Sequence, residues 1–279
     1  MRNLYKEATS RKKRDTVFLI VVLVFFVKGT SLLLSSHFEM GNVLKEQINV
    51  VRNLRVDVLR EIPHDRSAFT QGLLWSDGHL YESTGRYGES TLRRLDPETG
   101  LIQERTNIPA NFFGEGLAKV GQNLILLTWK AERAILYDVN SLKAVRTFRY
   151  DGEGWGLCYD GARLIMSNGS DTLTFRDPTS FQEIGSVKVT LRGMPRDNIN
   201  ELECVDGAVY ANLWDDDYIL RIDPDTGSVT HQIDSHGLLS REESRGTDVL
   251  NGIAYNPQAE TFYITGKWWP KMFEVRFIE

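Results

Sequence analysis

Five phrases in this chain share one frame: Gln71-Gly72-Leu73, Glu115-Gly116-Leu117, Trp155-Gly156-Leu157, Glu201-Leu202-Glu203 and Asn251-Gly252-Ile253. Their leading residues are an amide, a carboxylate, an indole, a second carboxylate and a second amide. A repeat kept only for its shape would tend to repeat one residue there. Different choices at one position read instead as the parts of one site. A carboxylate such as Glu115 can take and return a proton. Amides such as Gln71, together with Lys267, can donate hydrogen bonds to an oxygen that gains charge. Trp129, Trp155, Trp214, Trp268 and Trp269 fall at strand ends or in the loops after them. One such tryptophan would read as core filling. Several at equivalent places, beside Glu115 and Lys267, predict an aromatic-walled pocket with a few placed polar groups.

Other chemistries lack their residues. His37, His64, His79, His231 and His236 have no zinc-ligand spacing, and there is no His-Glu-x-x-His or Cys/His cluster. There is no Gly-x-Ser-x-Gly elbow and no phosphate-binding glycine loop. The expectation is an enzyme with no cofactor. A structural cation in the channel, held by Glu201 or Glu203, is the one metal this reading leaves room for.

The phrases start about 40 to 50 residues apart, the period of propeller blades. Each is followed by a tight turn, such as Asp77-Gly78 or Asp206-Gly207, then a short apolar run, then an alternating run closed by a second turn. Short runs bounded by Asp-Gly and Asp-Pro read as antiparallel strands in hairpins. The last unit ends at Phe277 with three strands, while the alternating run Arg55 to Arg60 is left over at the front. The fold expected is all-β: a five-bladed β-propeller whose last blade is closed by that N-terminal strand, removing exposed edges. A β-sandwich with regular turns is the alternative.

A net charge of -5 gives no reason to expect nucleic acid. The N-terminus is distinct. A basic tail over 1–16 contains Arg11-Lys12-Lys13-Arg14, and an apolar segment over 17–36 is interrupted by Lys28. That segment reads as a single hydrophobic helix, an uncleaved transmembrane signal anchor or a signal peptide, preceding a polar tether over 37–54 and a propeller over 55–279. Either way the propeller is expected outside the cytoplasm, membrane-anchored or secreted. A closed propeller needs no partner subunit, so a monomer is expected. Cys158 and Cys204 lie on innermost strands of neighbouring repeats. Blades splay apart, so two buried free thiols are favoured over a bridge. Asn168-Gly169-Ser170 matches a glycosylation acceptor.

Several motifs together resemble the plant-type glutaminyl cyclases (glutamine cyclotransferases). They are Phe69-Thr70-Gln71-Gly72-Leu73, Glu82-Ser83-Thr84-Gly85, Phe113-Gly114-Glu115-Gly116-Leu117, Gly154-Trp155-Gly156-Leu157, Asn200-Glu201-Leu202-Glu203, Val249-Leu250-Asn251-Gly252-Ile253 and Gly266-Lys267-Trp268-Trp269-Pro270-Lys271. The resemblance runs from Ile62 to Phe277 and departs from the family pattern at Asn168, where Asp is common. It implies a five-bladed propeller and conversion of N-terminal glutamine to pyroglutamate with release of ammonia. The substrates implied are peptides or proteins with N-terminal glutamine. It also implies a site at Phe69, Gln71, Phe113, Glu115, Trp129, Trp155, Asn200, Trp214 and Lys267. Glu115 and Lys267 are the candidate catalytic pair, and Glu201 is added as a candidate substrate ligand. The rival functions are a non-catalytic peptide- or sugar-binding propeller and a metal-dependent propeller hydrolase.

Overall fold

Alternation of buried and exposed residues, punctuated by Asp-Gly and Asp-Pro turns, makes the chain fold as short antiparallel strands. The computed structural model describes residues 50–214 and 216–279, and every regular element among them is a strand. The basic tail and the apolar segment expected over 17–36 lie outside the described residues. No helix among the described residues is long and apolar enough to cross a membrane.

Strand β1 (Arg52–Pro63) comes first. One four-stranded sheet holds β2 (Thr70–Ser76), β3 (His79–Thr84), β4 (Thr91–Leu95) and β5 (Ile102–Asn107) in sequence order. A second holds β6 (Gly114–Val120), β7 (Asn123–Thr128), β8 (Arg133–Asp138) and β9 (Ala144–Arg149). A third holds β10 (Leu157–Tyr159), β11 (Leu164–Met166), β12 (Thr172–Arg176) and β13 (Glu183–Lys188). A small hairpin, β14 (Thr190–Leu191) and β15 (Met194–Pro195), follows. Then come β16 (Ile199–Val205), β17 (Ala208–Leu213), β18 (Asp216–Ile222) and β19 (Val229–Asp234), and finally β20 (Leu250–Asn256), β21 (Thr261–Gly266) and β22 (Lys271–Ile278). These last seven strands form one eight-stranded sheet with β1, which pairs antiparallel with β22 and parallel with β19.

The first strands neighbour one another in a ring: β2 packs on β6, β6 on β10, β10 on β16, β16 on β20, and β20 on β2. Hydrophobic clusters fill the wedges between successive four-strand runs. One joins Tyr81 and Leu92 to Leu117 and Leu124, the next joins Ile125 and Leu127 to Leu157 and Leu164, and so on round to Leu73 and Leu80 against Ala254 and Tyr263. The aspartates that end the third strands, Asp96, Asp138, Asp177 and Asp223, each accept backbone N–H groups two or three residues on. This Asx-turn chemistry explains the recurring aspartate.

At the ring the backbones come very close. A Cβ on Gly116 would stand 2.5 Å from the Leu157 nitrogen, and one on Gly156 would collide with the Asn200 carbonyl oxygen. The ladder shifts register here, between Thr70 and Gly72, Gly114 and Leu117, Ile199 and Leu202, and Leu250 and Ile253. Such bulges re-aim side chains. Deeper in the channel, the buried Glu201 carboxylate accepts from the Leu73 N–H at 3.3 Å and the Ile253 N–H at 2.8 Å. Glu203 accepts from the Tyr255 N–H at 2.9 Å.

Two expectations are corrected. Cys158 and Cys204 are bridged, with Cα atoms 5.4 Å apart, and among the described residues no cysteine is free. The splay of neighbouring sheets acts further out; at the ring the first strands are still within reach of one another. The tether also ends earlier than residue 54. Arg52, Asn53 and Leu54 already pair with His231, Gln232 and Ile233, because β19 offers a free edge there. The β14–β15 hairpin and the long loop from Ser235 to Val249 lie outside the repeated strand pattern.

Gly156→Ala should destabilise the fold by about 3 kcal/mol, because backbone and not a flexible side chain must move. Gly121→Ala, at φ 58° with nothing near, should cost about 1 kcal/mol. Urea midpoints compare them. A second expectation concerns Glu203, which burial pushes up to about 8 from 4.5. Between those values the unfolded state binds fewer protons, so stability falls as pH rises, by up to ~1.4 kcal/mol per pH unit. Glu203→Gln should flatten that decline between pH 5 and 8 in urea titrations at constant ionic strength. Parallel slopes would mean that Glu203 is ionised in the folded protein.

Candidate active site

A cavity of about 450 Å3 opens where the first strands begin, lined by Phe69, Gln71, Phe113, Glu115, Trp129, Trp155, Asn200, Trp214 and Lys267. Two kinds of position supply them. Phe69, Gln71, Phe113, Glu115, Trp155 and Asn200 stand at or just before a first strand, and all but Trp155 lie within or beside a bulge. Trp129, Trp214 and Lys267 each follow the last residue of a second strand. One backbone bond recurs between the two kinds: Trp129 N–H to Phe113 O at 3.0 Å, Trp214 to Asn198 at 2.8 Å, and Lys267 to Val249 at 3.0 Å. A second hollow, of about 490 Å3, lies at the other end of the same strands, lined among others by Trp75, Lys119, Tyr159 and Glu203.

The rings touch in sequence around the cavity. Phe69 meets Phe113 edge to face at 6.1 Å, Phe113 meets Trp129 at 5.5 Å, and Trp155 meets Trp214 at 6.4 Å. Inside this apolar wall sit two opposite charges, Glu115 and Lys267, each 4% exposed. Burial raises the Glu115 carboxyl well above the ordinary 4.5, and the Lys267 charge and the Gln71 hydrogen bond only partly oppose it. Burial likewise lowers Lys267, against the pull of Glu115 and Asp248. Among the described residues the Lys267 ammonium has no hydrogen-bond or ion-pair partner; it stands 4.9 Å from the Phe69 ring centre. A carboxylate with a raised affinity for protons, facing an amine with a lowered one across a water-poor space, can move protons and steady a developing anion. Among the described residues no three His, Cys, Asp or Glu side chains form a metal-ligating group.

Residues behind the wall hold it in place, and reading by residue type missed them. Glu153 accepts from the Trp129 indole N–H at 2.7 Å and from the Trp155 indole N–H at 3.1 Å, locking both rings. Asn251 donates to the Thr70 carbonyl at 2.9 Å and to Gln71 Oε1 at 3.1 Å, which leaves the Gln71 amide nitrogen to donate to Glu115 at 3.0 Å. The Gln71 amide therefore has one orientation. His64 is buried with Nε2 2.9 Å from Glu82 and Nδ1 2.9 Å from the Trp269 carbonyl. Both partners are acceptors, so both ring nitrogens carry protons. Burial opposes that imidazolium, but Glu82 and the carbonyl outweigh it and raise the His64 pKa. The Glu82 carboxylate also accepts from Thr70 at 2.7 Å and faces Arg93 at 3.4 Å. The cluster thus ties the strand bearing Gln71 to the turn that follows Lys267. Glu153 was readable only as an acid two places before a tryptophan, and nothing in the sequence places His64 near Lys267.

Glu201, expected as a substrate ligand, does not line the cavity. In this run the phrase is Asn200-Glu201-Leu202, one residue earlier than the repeat predicts. Leu202 holds the place in its own ladder, just after the register shift, that Leu73, Leu117 and Ile253 hold in theirs, so Asn200 stands where Gln71 and Glu115 stand, and Glu201 stands at the glycine position. Its carboxylate is spent on backbone N–H groups across the channel.

With this geometry in view, the comparisons are specific. The profile of the glutamine cyclotransferase family matches residues 31–277. A glutaminyl-peptide cyclotransferase of Arabidopsis thaliana is 38% identical over 227 residues, which cover 79% of this chain and 71% of that protein. The crystal structure of Myxococcus xanthus glutaminyl cyclase superposes with a TM-score of 0.75 at 41% identity, over 82% of this chain and 99% of that one. A profile match over most of the chain, joined to that identity with a solved relative of the same shape, places this protein in the glutamine cyclotransferase family.

Proposed function

We propose that Glu115, facing Lys267 across the aromatic cavity, carries the chemistry of a glutaminyl-peptide cyclotransferase. The enzyme closes an N-terminal glutamine on itself to give pyroglutamate and ammonia. The observation that carries the mechanism is the burial of both charges behind the rings of Phe69, Phe113, Trp129 and Trp155. The substrate amine, with a pKa of about 7.7 to 8, is largely protonated near neutrality and cannot attack. Glu115 takes its proton. The amine nitrogen then bonds to the γ-carboxamide carbon, and the carboxamide oxygen gains charge that Lys267, Gln71 and Asn200 are placed to receive. Glu115 returns that proton to the carboxamide nitrogen, the carbon–nitrogen bond breaks and ammonia leaves, while the second proton of the ring nitrogen passes to Glu115 and from it to the departing ammonia, which is released as ammonium. The ring is closed inside one molecule, so holding the side chain bent removes much of the barrier. Trp129, Trp155 and Trp214 supply that clamp.

The sheets read best as a five-bladed propeller, with β1 completing the blade of β20 to β22 and the pairing of β1 with β19 merging two blades into one sheet. The domain is then 55–279, extended forward to Arg52. The disulfide supports an oxidising compartment. With the basic tail and apolar segment this favours a propeller outside the cytoplasm, tethered by residues 17–36. The reaction needs no metal, and the propeller acts as a monomer.

Glu115→Gln should lower kcat on a glutaminyl peptide by about 10²- to 10⁴-fold with an unchanged circular dichroism spectrum. A coupled ammonia assay measures it, and near-normal turnover would remove Glu115 from the mechanism. EDTA should leave the wild-type rate unchanged. Because Glu115 must start ionised, its raised pKa puts the acid limb of kcat/KM well above 4.5. Lys267 holds that limb down, so Lys267→Met should move it to still higher pH.

A further inference from the structure

A peptide whose glutamine fills the cavity must lead its second and third residues out past the mouth. There a second tier of side chains backs the inner rings. Trp268 packs on Phe69 at 4.8 Å, and Tyr87, half-exposed, packs on Phe113 at 5.5 Å. Two cations cap the ends of this arc. The Arg86 guanidinium lies 5.5 Å from the Trp268 ring centre, and the Lys130 ammonium lies 4.0 Å from that of Trp129. Their counter-charges are partial. Among the described residues Arg86 meets Glu89 through Nε alone, at 3.3 Å, with side chains 47% and 67% exposed. Lys130 meets Glu153 at 3.5 Å, while the other Glu153 oxygen is occupied by the two indoles. The terminal guanidinium nitrogens of Arg86 therefore face solvent at the mouth.

Arg86 is also strained. It holds φ 91°, a left-handed conformation that favours glycine, although Gly85 and Gly88 stand beside it in the same turn. Its carbonyl fixes that turn, accepting from Glu89 N at 3.0 Å and from Ser90 N and Ser90 Oγ at 2.9 and 2.8 Å. A long cationic side chain kept where glycine fits better points to a function for the charge.

We propose that Arg86, Tyr87 and Lys130 form an outer subsite that selects glutaminyl peptides carrying a carboxylate at the second or third residue. The inference rests on the cyclotransferase reading of the inner cavity. The subsite acts on binding, since these side chains stand outside the space where the bond forms.

The test compares three tripeptide amides, Gln-Glu-Ala, Gln-Ala-Ala and Gln-Lys-Ala, whose amidated ends carry no carboxylate of their own. Binding is read by quenching of tryptophan fluorescence and turnover by ammonia release. Wild-type enzyme at low salt should bind the Glu peptide about tenfold more tightly than the Lys peptide, with the Ala peptide between, and 0.5 M salt should compress that range to about twofold. Turnover should follow through KM and not kcat. Arg86→Gly combined with Lys130→Gln should bring the three affinities together, and Arg86→Gly alone should unfold at or above the wild-type temperature because the strain is relieved. Equal wild-type affinities, an order that survives in the double variant, or a preference for the Lys peptide, which Asp216 and Asp217 beyond Trp214 would produce, overturns the subsite. Discrimination in binding without ammonia release leaves the subsite standing and overturns the cyclotransferase reading.

Discussion

Five first strands approach one another so closely that a methyl group has no room between several of them. Gly72, Gly116 and Gly156 each press against the next strand of the ring, and a Cβ on any of them would meet Leu117, Leu157 or Asn200 at less than contact distance. Much follows from that crowding. At this level the ladder also slips register in four of the first strands, beside Gly72, Gly116, Glu201 and Gly252, while the strand after Gly156 pairs regularly. The slip turns the residue before the glycine toward the mouth. Gln71, Glu115 and Asn200 share a cavity because their strands share a bottleneck. The site is thus a by-product of how tightly the ring closes, and its rigidity derives from the same source.

Crowding also makes the site dry, and dryness sets its electrostatics. A carboxylate and an ammonium kept from water each shift toward their neutral forms, and each restrains the shift of the other. Neither is neutralised by direct contact. The supporting groups are arranged so that little about the pair is left free. Glu153 fixes two indoles, Asn251 fixes the Gln71 amide, and the His64–Glu82–Arg93 cluster anchors the turn behind Lys267. These partners are charged or polar and mostly buried, so removing one strands the other.

Strand positions were legible because turn chemistry is local. Asp77-Gly78, Asp96-Pro97 and Asp206-Gly207 mark hairpins by themselves, and runs such as Leu124 to Thr128 alternate or stay apolar between them. The lining residues were legible through the repeated phrase and the family resemblance together. What escaped depends on approach between distant segments. The Cys158–Cys204 bridge needs the spacing of two first strands, which splay alone does not reveal. The parallel pairing of Arg52 to Arg55 with β19 needs a free edge far along the chain, at His231 to Asp234. His64 and Trp269 meet only when the chain has gone once around the ring.

The slip at Glu201 teaches more than the correct positions do. Two glutamates lie within the same crowded ring, both buried, and both have their proton affinity raised by burial. Residue type, burial and direction of shift do not separate them. Hydrogen bonding does. Glu201 stands in the glycine position, and its two oxygens reach the neighbouring strands, one to Leu73 and one to Ile253. Its acceptors are used up in keeping the fourth and fifth runs and the first sheet together. Glu115 stands one place earlier in its repeat. The channel is closed behind it by glycine, and it meets one amide, from Gln71, on one oxygen. The second oxygen is left for the cavity. A carboxylate is available for proton transfer when the backbone around it needs nothing from it, and Gly116 is what frees Glu115 from that duty.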